Sequence, residues 1–289
     1  MTSEIVLAII GGSGLYNIPA LQNIETYDVD TPYGKPSSPI RIGLLGQKKV
    51  AFLARHGLGH VINQSEVNYR ANIYALKMLG APRILAISAC GSLRDDFSPG
   101  HIVIPNQLLD FTNQRDRSFF GEGLVVHIST ADPFCPDLSA LAARAALQAG
   151  GAIHPTGKLI TIEGPRFSTK FESNLFRSWG LDIIGMTTSP EAFLAREAEM
   201  CYATMAHVTD YDSWHSSEKP VTVDMVIRTL NHNTALAQSA IETMVELLPV
   251  EQTCHCSQAL EGAVITDIAS ISPAIRQKYQ LLISKYLES

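Results

Sequence analysis

Charge is scarce in this sequence, and long apolar runs are missing. Only 17% of the 289 residues are charged, and the 28 acidic residues outnumber the 22 basic ones to give a formal net charge of -6. No overall positive field exists to gather nucleic acid or an anionic membrane, so neither is an expected partner. Any anion that binds must be held by a local site. No apolar stretch approaches the roughly 20 residues needed to span a bilayer. The opening MTSEIVLAIIGG sets Glu4 ahead of a short apolar run, whereas a secretory leader has a basic start and a longer apolar core. A cytoplasmic location is expected.

Cysteine is also sparse and odd in number, which argues against a disulfide framework. Cys90, Cys135 and Cys201 each stand alone in apolar or turn-like surroundings and read as buried free thiols. Cys254-His255-Cys256 offers two thiolates and an imidazole with no fourth ligand nearby, so no metal site is expected. If oxidised, Cys254 and Cys256 would close a very short, strained loop.

What the chain does have is apolar bulk, 46% of it, enough for a sizeable core. Short β-rich apolar runs at 5–10, 50–54, 83–88, 101–104, 159–163, 182–186 and 201–208 alternate with helical spacing at 67–79, 138–149, 169–179 and 190–199. Such alternation predicts an α/β domain around a mixed or mostly parallel sheet. Two later helical patterns, 222–248 and 272–286, flank Pro249 and the cysteine pair. No internal repeat or mid-chain linker is visible, which predicts a catalytic domain over 1–250 and a helical extension over 251–289 packed on it.

Several apolar runs lead into small or charged residues. The first enters Gly11-Gly12-Ser13-Gly14, where exposed amides and the Ser13 hydroxyl suit an anion, although glycine turns after strands are common. A third glycine of the dinucleotide fingerprint is missing and no Walker lysine follows, which weakens a dinucleotide-dependent oxidoreductase. Arg55-His56 follows the second run; the arginine fork suits phosphate, or the pair is simply solvated. His60 and His127 are isolated histidines of the packed or surface kind. The third run ends in Ser88-Ala89-Cys90-Gly91, small enough for backbone to approach a ligand, or for tight packing. In Glu163-Gly164-Pro165-Arg166-Phe167-Ser168, Phe167 is either a stacking platform or core, and Glu163 and Arg166 pair with each other or with a ligand. Asp210 and Asp212 point similarly on an extended segment, and like charges so close raise one carboxyl pKa toward a working acid.

Taken in order, GGSGL, ARHG, VNYRANI, SACGSL, EGPRFS, MTT and TDYDSW resemble the trimeric purine nucleoside phosphorylase superfamily, and within it the branch acting on 5'-methylthioadenosine. The likeness covers roughly 5–248. It implies one α/β domain with a central mixed sheet partly closed into a barrel and flanked by helices. It also implies reversible phosphorolysis with inorganic phosphate as co-substrate and no cofactor, and a homotrimer or dimer of trimers. By resemblance, phosphate falls to Ser13, Arg55, His56, Ser88, Ala89 and Thr187, the ribose to Met186, and the base to Phe167, Ser168, Tyr211 and the pair Asp210 and Asp212. Asp210 and His56 are the expected catalytic groups. Val223, Val226 and Ile227 match the pocket for the methylthio group, and His127 is expected at a neighbouring subunit's site. An aspartate accepts from a 6-amino group, whereas members preferring 6-oxopurines carry asparagine there. A 6-oxopurine or broad-specificity phosphorylase and a non-catalytic nucleoside-binding module stand as alternatives.

Overall fold

The computed structural model describes residues 4–12, 18–215 and 222–287. Its eleven described strands are β1 (Ile5–Gly11), β2 (Gln22–Tyr27), β3 (Ile40–Leu45), β4 (Lys48–Ala54), β5 (Arg83–Ser92), β6 (Ile102–Val103), β7 (Gln107–Phe111), β8 (Ile153–His154), β9 (Lys158–Ile162), β10 (Ile183–Gly185) and β11 (Cys201–Asp210). The helices are α1 (Tyr69–Met78), α2 (Pro136–Gln148), α3 (Lys170–Ser178), α4 (Thr188–Glu197), α5 (Val223–Leu247) and α6 (Pro273–Leu287). The strands form one mixed sheet in the order β2-β3-β4-β1-β5-β10-β9-β7, with β11 pairing on β5 and β6, and β6 on β8.

Alternation along the central strands decides the layering. In β1, Ile5, Ala8 and Ile10 enter one apolar cluster, while Leu7 and Ile9 enter the other. Ala51 and Leu53 oppose Val50 and Phe52 in β4, and Ile84 and Ala86 oppose Leu85 and Ile87 in β5. Strands buried on both faces need cover on both faces. The first face is covered by α1, α4 and α6 through residues such as Ile73, Leu194 and Leu282. The second is covered by α2 and α5 through Leu138, Ala142, Ile241 and Met244. Tyr279, Leu282 and Ile283 of α6 share the first cluster with β1 and β4, so the C-terminal helix packs into the same core as the central sheet.

The helices carry the caps their sequences offer. Asn68 accepts the Ala71 amide at the start of α1, and Thr169 with Glu172 forms a reciprocal capping box on α3. Every run expected to be a strand overlaps one, and each expected helix is present within two residues at either end.

The β5 strand branches the sheet. Its first part pairs in parallel with β1 through Ile84, Leu85 and Ala86 and with β11 from Arg83 onward. Its last two residues, Gly91 and Ser92, pair antiparallel with β10. At the branch a Cβ on Gly91 would meet Asp210 Oδ1 at 3.0 Å, Ile184 Cγ2 at 3.1 Å and Asp212 Cβ at 3.2 Å. Glycine at this position lets the aspartates sit against the strand.

Candidate active site

A cavity of about 440 Å³ opens where the carboxyl ends of several strands converge, the usual ligand position in open α/β sheets. Gly12 follows β1, Arg55 and His56 follow β4, and Ser88 to Gly91 close β5. Met186 and Thr187 follow β10, and Thr209 and Asp210 end β11. Phe167 and Ser168 of the loop after β9, Asp212 of the turn after β11, and Val223, Val226 and Ile227 of the first turns of α5 complete the wall.

Arg55 is buried and already engaged. Its Nε and Nη2 donate to the two carboxylate oxygens of Glu191, each at 2.8 Å, and Nη1 donates to the Ile87 carbonyl at 3.2 Å. Tyr202 donates its hydroxyl to the same carboxylate at 2.8 Å. Three of the five guanidinium donors are thus committed inside the protein, and two N–H groups are left to offer a ligand. Arg55 is thus a buried, positioned cation whose charge is balanced by Glu191, not the solvated side chain that the sequence left open.

His56 Nδ1 lies 3.0 Å from the Ile62 carbonyl. A carbonyl only accepts, so Nδ1 carries the proton and Nε2 is left as an acceptor. Burial, with Arg55 and His60 beside it, lowers the imidazole to about 4. His56 is a neutral ring stacked on His60 at 4.4 Å.

At the opposite wall both aspartates are buried. Asp210 Oδ2 accepts from the Thr209 hydroxyl at 2.7 Å, and Oδ1 accepts from the Asp212 amide at 2.8 Å. Burial raises Asp210 to about 6 against those two bonds, and the Asp212 charge raises it further. Burial raises Asp212 as well. A carboxyl near 6 can give or take a proton at neutral pH.

The loop carrying Phe167 is anchored from below by Arg115. Its Nη1 donates to the Met186 and Ser189 carbonyls at 2.8 and 2.6 Å, Nη2 to the Glu163 carbonyl at 2.8 Å, and Nε to Glu163 Oε1 at 3.1 Å. Burial alone would raise Glu163, yet the Ser65 hydroxyl, the Asn113 and Gln114 amides and Arg115 hold it down at about 2. Phe167 itself is 37% exposed and lines the cavity, so it lies at the rim rather than in the core.

The model of the phosphorylase superfamily matches residues 6–246 of this chain. The chain belongs to that superfamily. It is 49% identical to an S-methyl-5'-thioadenosine phosphorylase of Geobacter sulfurreducens, over 98% of this chain and 100% of the relative. It is 50% identical to one of Hyperthermus butylicus over 90% and 95%. Among solved structures, a methylthioadenosine phosphorylase from an antarctic soil metagenomic library matches with a TM-score of 0.92 and 45% identity, covering 97% of this chain and 99% of the other. A mutant adenosine/methylthioadenosine phosphorylase of Schistosoma mansoni, in complex with methylthioadenosine, matches at 0.84 and 37% over 90% and 96%.

Set against this phosphorylase fold, most expected site residues meet in the one cavity, and a few do not. Tyr211 points elsewhere: its hydroxyl donates to Ser98 Oγ at 3.0 Å and its ring stacks on His215; Asp212 reaches the cavity from a turn with a φ of 47°, not by alternation along an extended strand as expected. His127 is exposed and outside the cavity; its amide donates to the Ala263 carbonyl beside the Val126–Val264 bridge. Ser13 lies outside the described residues. Glu163 and Arg166 do not pair with each other, since Glu163 takes Arg115 and Arg166 takes Glu172 at 2.7 and 2.8 Å. Sequence reasoning passed over Arg115, Glu191 and Gln64, which carry no local motif, and left His60 as a bystander although it lines the cavity.

The cysteines require another correction. Cys135 and Cys201, read as isolated, lie beside Cys254 and Cys256, and all four Sγ atoms fall within 4.8 Å of one another. All five cysteines are free thiols. Their partners come from elements some 50 to 120 residues away in sequence, so no local spacing could have signalled the group.

Proposed function

We infer that the protein catalyses reversible phosphorolysis of S-methyl-5'-thioadenosine, giving adenine and S-methyl-5-thio-α-D-ribose 1-phosphate. One observation carries the reading. A single cavity joins three chemically distinct regions: polar groups of Arg55, His56, Ser88 and Thr187, the buried pair Asp210 and Asp212, and the apolar face of Val223, Val226 and Ile227. Those regions match in turn a phosphate, a 6-aminopurine and an apolar 5' substituent.

In the reaction the C1'–N9 bond breaks and a C1'–O bond to phosphate forms. The transition state resembles an oxocarbenium ion, as in other glycosyl transfers. Phosphate is held under C1' by the Arg55 N–H groups left over from Glu191, the hydroxyls of Ser88 and Thr187, and the Ala89 backbone, which supplies effective concentration. Neutral His56 accepts through Nε2 and so favours phosphate that still carries a proton. Met186 lies against the ribose, and Phe167 stacks on the purine beside Ser168. Electrons of the breaking bond flow into the purine, and Asp210 gives its proton to N7, so that adenine leaves neutral. Asp210, with Asp212 beside it, also accepts from the 6-amino group. The reaction so written balances with phosphate as co-substrate and calls on no cofactor.

The assembly that fits this reading is a homotrimer or dimer of trimers working in the cytoplasm, with exposed His127 supplied to the cavity of a neighbouring subunit. Light scattering on the active protein checks it, and a fully active monomer overturns it. The reaction is tested by incubating the protein with methylthioadenosine, adenosine, inosine and guanosine, with and without phosphate. Adenine release from methylthioadenosine only when phosphate is present is expected. Equal release without phosphate would make the protein a hydrolase, and a preference for inosine or guanosine would make it a 6-oxopurine phosphorylase.

A further inference from the structure

Away from the cavity, the four clustered cysteines come from three separate parts of the chain. Cys135 caps the N-terminus of α2, Cys201 opens β11, and Cys254 and Cys256 sit in the segment after α5. Cys135, Cys201 and Cys256 are buried and Cys254 is partly so. Every sulfur is within 4.8 Å of the other three, and Cys201 and Cys254 approach to 3.3 Å. A zinc ion with four sulfurs at about 2.3 Å sets neighbouring sulfurs about 3.8 Å apart at the corners of a tetrahedron, a spacing that this arrangement brackets. We propose that Cys135, Cys201, Cys254 and Cys256 form a structural zinc site that clips the C-terminal segment to the sheet.

The surroundings are those of thiolates rather than of four inert thiols. Three N–H donors point at three of the sulfurs. The Leu138 amide reaches Cys135 Sγ at 3.5 Å, Gln252 Nε2 reaches Cys201 Sγ at 3.3 Å, and Arg196 Nη1 reaches Cys256 Sγ at 3.6 Å. Hydrogen bonds of this kind orient metal ligands and offset their charge. Four thiolates around Zn²⁺ leave two negative charges, which the Arg196 guanidinium and the N-terminal end of the 13-residue α2 both reduce. On binding, four S–H protons pass to solvent as four Zn–S bonds form, with no change of oxidation state. Disulfides would use the sulfurs pairwise and need an oxidant, whereas the mutual closeness of all four suits one shared ion. All-sulfur tetrahedral ligation selects zinc or iron among the common metals. His255, exposed and directed at Gln258, takes no part.

The mechanical sense of the clip follows from its neighbours. The segment from 249 to 253 is already stitched to the body by Arg83 on the Pro249 and Glu251 carbonyls, Gln252 on the Pro82 carbonyl and Thr253 on Asp137. A metal at Cys254 and Cys256 ends that run of bonds with a cross-link to α2 and β11.

The test uses the full chain purified under reducing conditions. Elemental analysis is expected to give one zinc per chain. The four clustered thiols should resist a thiol reagent until the zinc is removed by a chelator, and Tm should fall on removal and recover when zinc is returned. Refolding with Co²⁺ should give the sulfur-to-metal charge-transfer absorption of tetrahedral thiolate ligation. Arg196→Gln keeps all four ligands and should weaken zinc binding about 10-fold to 100-fold, and Cys256→Ser should abolish the cobalt spectrum. Reduced, folded protein that takes up neither zinc nor Co²⁺, or that holds iron in preference, overturns the proposal. So does mass spectrometry showing the cysteines paired in protein that binds no metal once reduced.

Discussion

Arg55 and Glu191 meet in a two-pronged ion pair, Nε to Oε2 and Nη2 to Oε1 at 2.8 Å each, with both side chains 1% or less exposed. The pair joins the end of β4 to α4 beneath the cavity floor. Burying two charges is expensive, and most of the cost shows when one partner is lost and the other stays. Glu191→Ala should therefore destabilise the fold by about 3 to 5 kcal/mol, with the Tyr202 hydroxyl also left without its acceptor. Replacing both partners, as Arg55→Met with Glu191→Leu, should recover much of that loss. Urea unfolding of the three proteins decides it, and a double variant no more stable than Glu191→Ala would contradict the argument.

On the proposed reading, Asp210 faces position 6 of the base. In Asp210→Asn, the amide can donate to a 6-oxo group, and one of its two atoms no longer accepts as the carboxylate did from Thr209 and Asp212. A mispaired buried polar group costs roughly 1 to 3 kcal/mol, so the preference for methylthioadenosine over inosine should fall about 5-fold to 150-fold. The measurement is kcat/KM for both nucleosides in wild type, Asp210→Asn and Asp212→Asn. A ratio unmoved in Asp210→Asn would remove this residue from base recognition.

The same carboxyl should set the pH profile. Burial holds Asp210 at about 6, above its ordinary 3.8, and donation to N7 requires the protonated form. Phosphorolytic kcat/KM should decline as pH rises through about 6, and Asp210→Asn should lack that limb. His56 cannot supply it, since burial has lowered its ring to about 4 and it stays neutral throughout. Linkage has the matching sign: a raised folded pKa favours the ligand-free fold fully below 3.8, and this contribution is lost as pH rises through about 6. Chemical denaturation from pH 4 to pH 8 should show a shallower loss in Asp210→Asn than in wild type, and parallel curves would refute the assignment.

Specificity at the 5' position should rest on burial alone. Val223 is 63% and Ile227 47% exposed, so both have apolar surface for a methylthio group to cover, together with Val226. At about 0.8 kcal/mol per buried methylene, one or two groups amount to roughly 4-fold to 15-fold. Ile227→Ser with Val226→Ser should reduce the preference for methylthioadenosine over adenosine by about that factor, chiefly through KM. Steady-state kinetics with both nucleosides checks this.

What the sequence disclosed follows from how far each signal reaches along the chain. The buried strands β1, β4 and β11 are continuous apolar runs, legible because both faces are covered. β2, whose six residues are all exposed, and β7, whose exposed residues alternate with half-buried ones, carry no such run and went unnoticed. β3 was hidden by Gly43, which is required because a Cβ there would meet the Gln22 carbonyl at 2.8 Å. The cavity walls were legible for the same reason as the strands, since each ends in a short motif. Arg115, Glu191 and the four-cysteine cluster were not, because each contributes only through residues brought together by the fold.

The branching of β5 has a consequence for which molecules fit. Ser88 and Ala89 face the polar end of the cavity, and Gly91, three residues beyond Ser88, lies against the two aspartates. A strand advances about 3.3 Å per residue, so these ends are held about 10 Å apart by backbone. Pairing to β1, β11 and β10 keeps the strand from stretching or slipping. The strand is therefore a gauge: it admits ligands whose anion and base are one sugar apart, and a single residue inserted between 88 and 91 would change the length it measures and turn the residues beyond it to the opposite face.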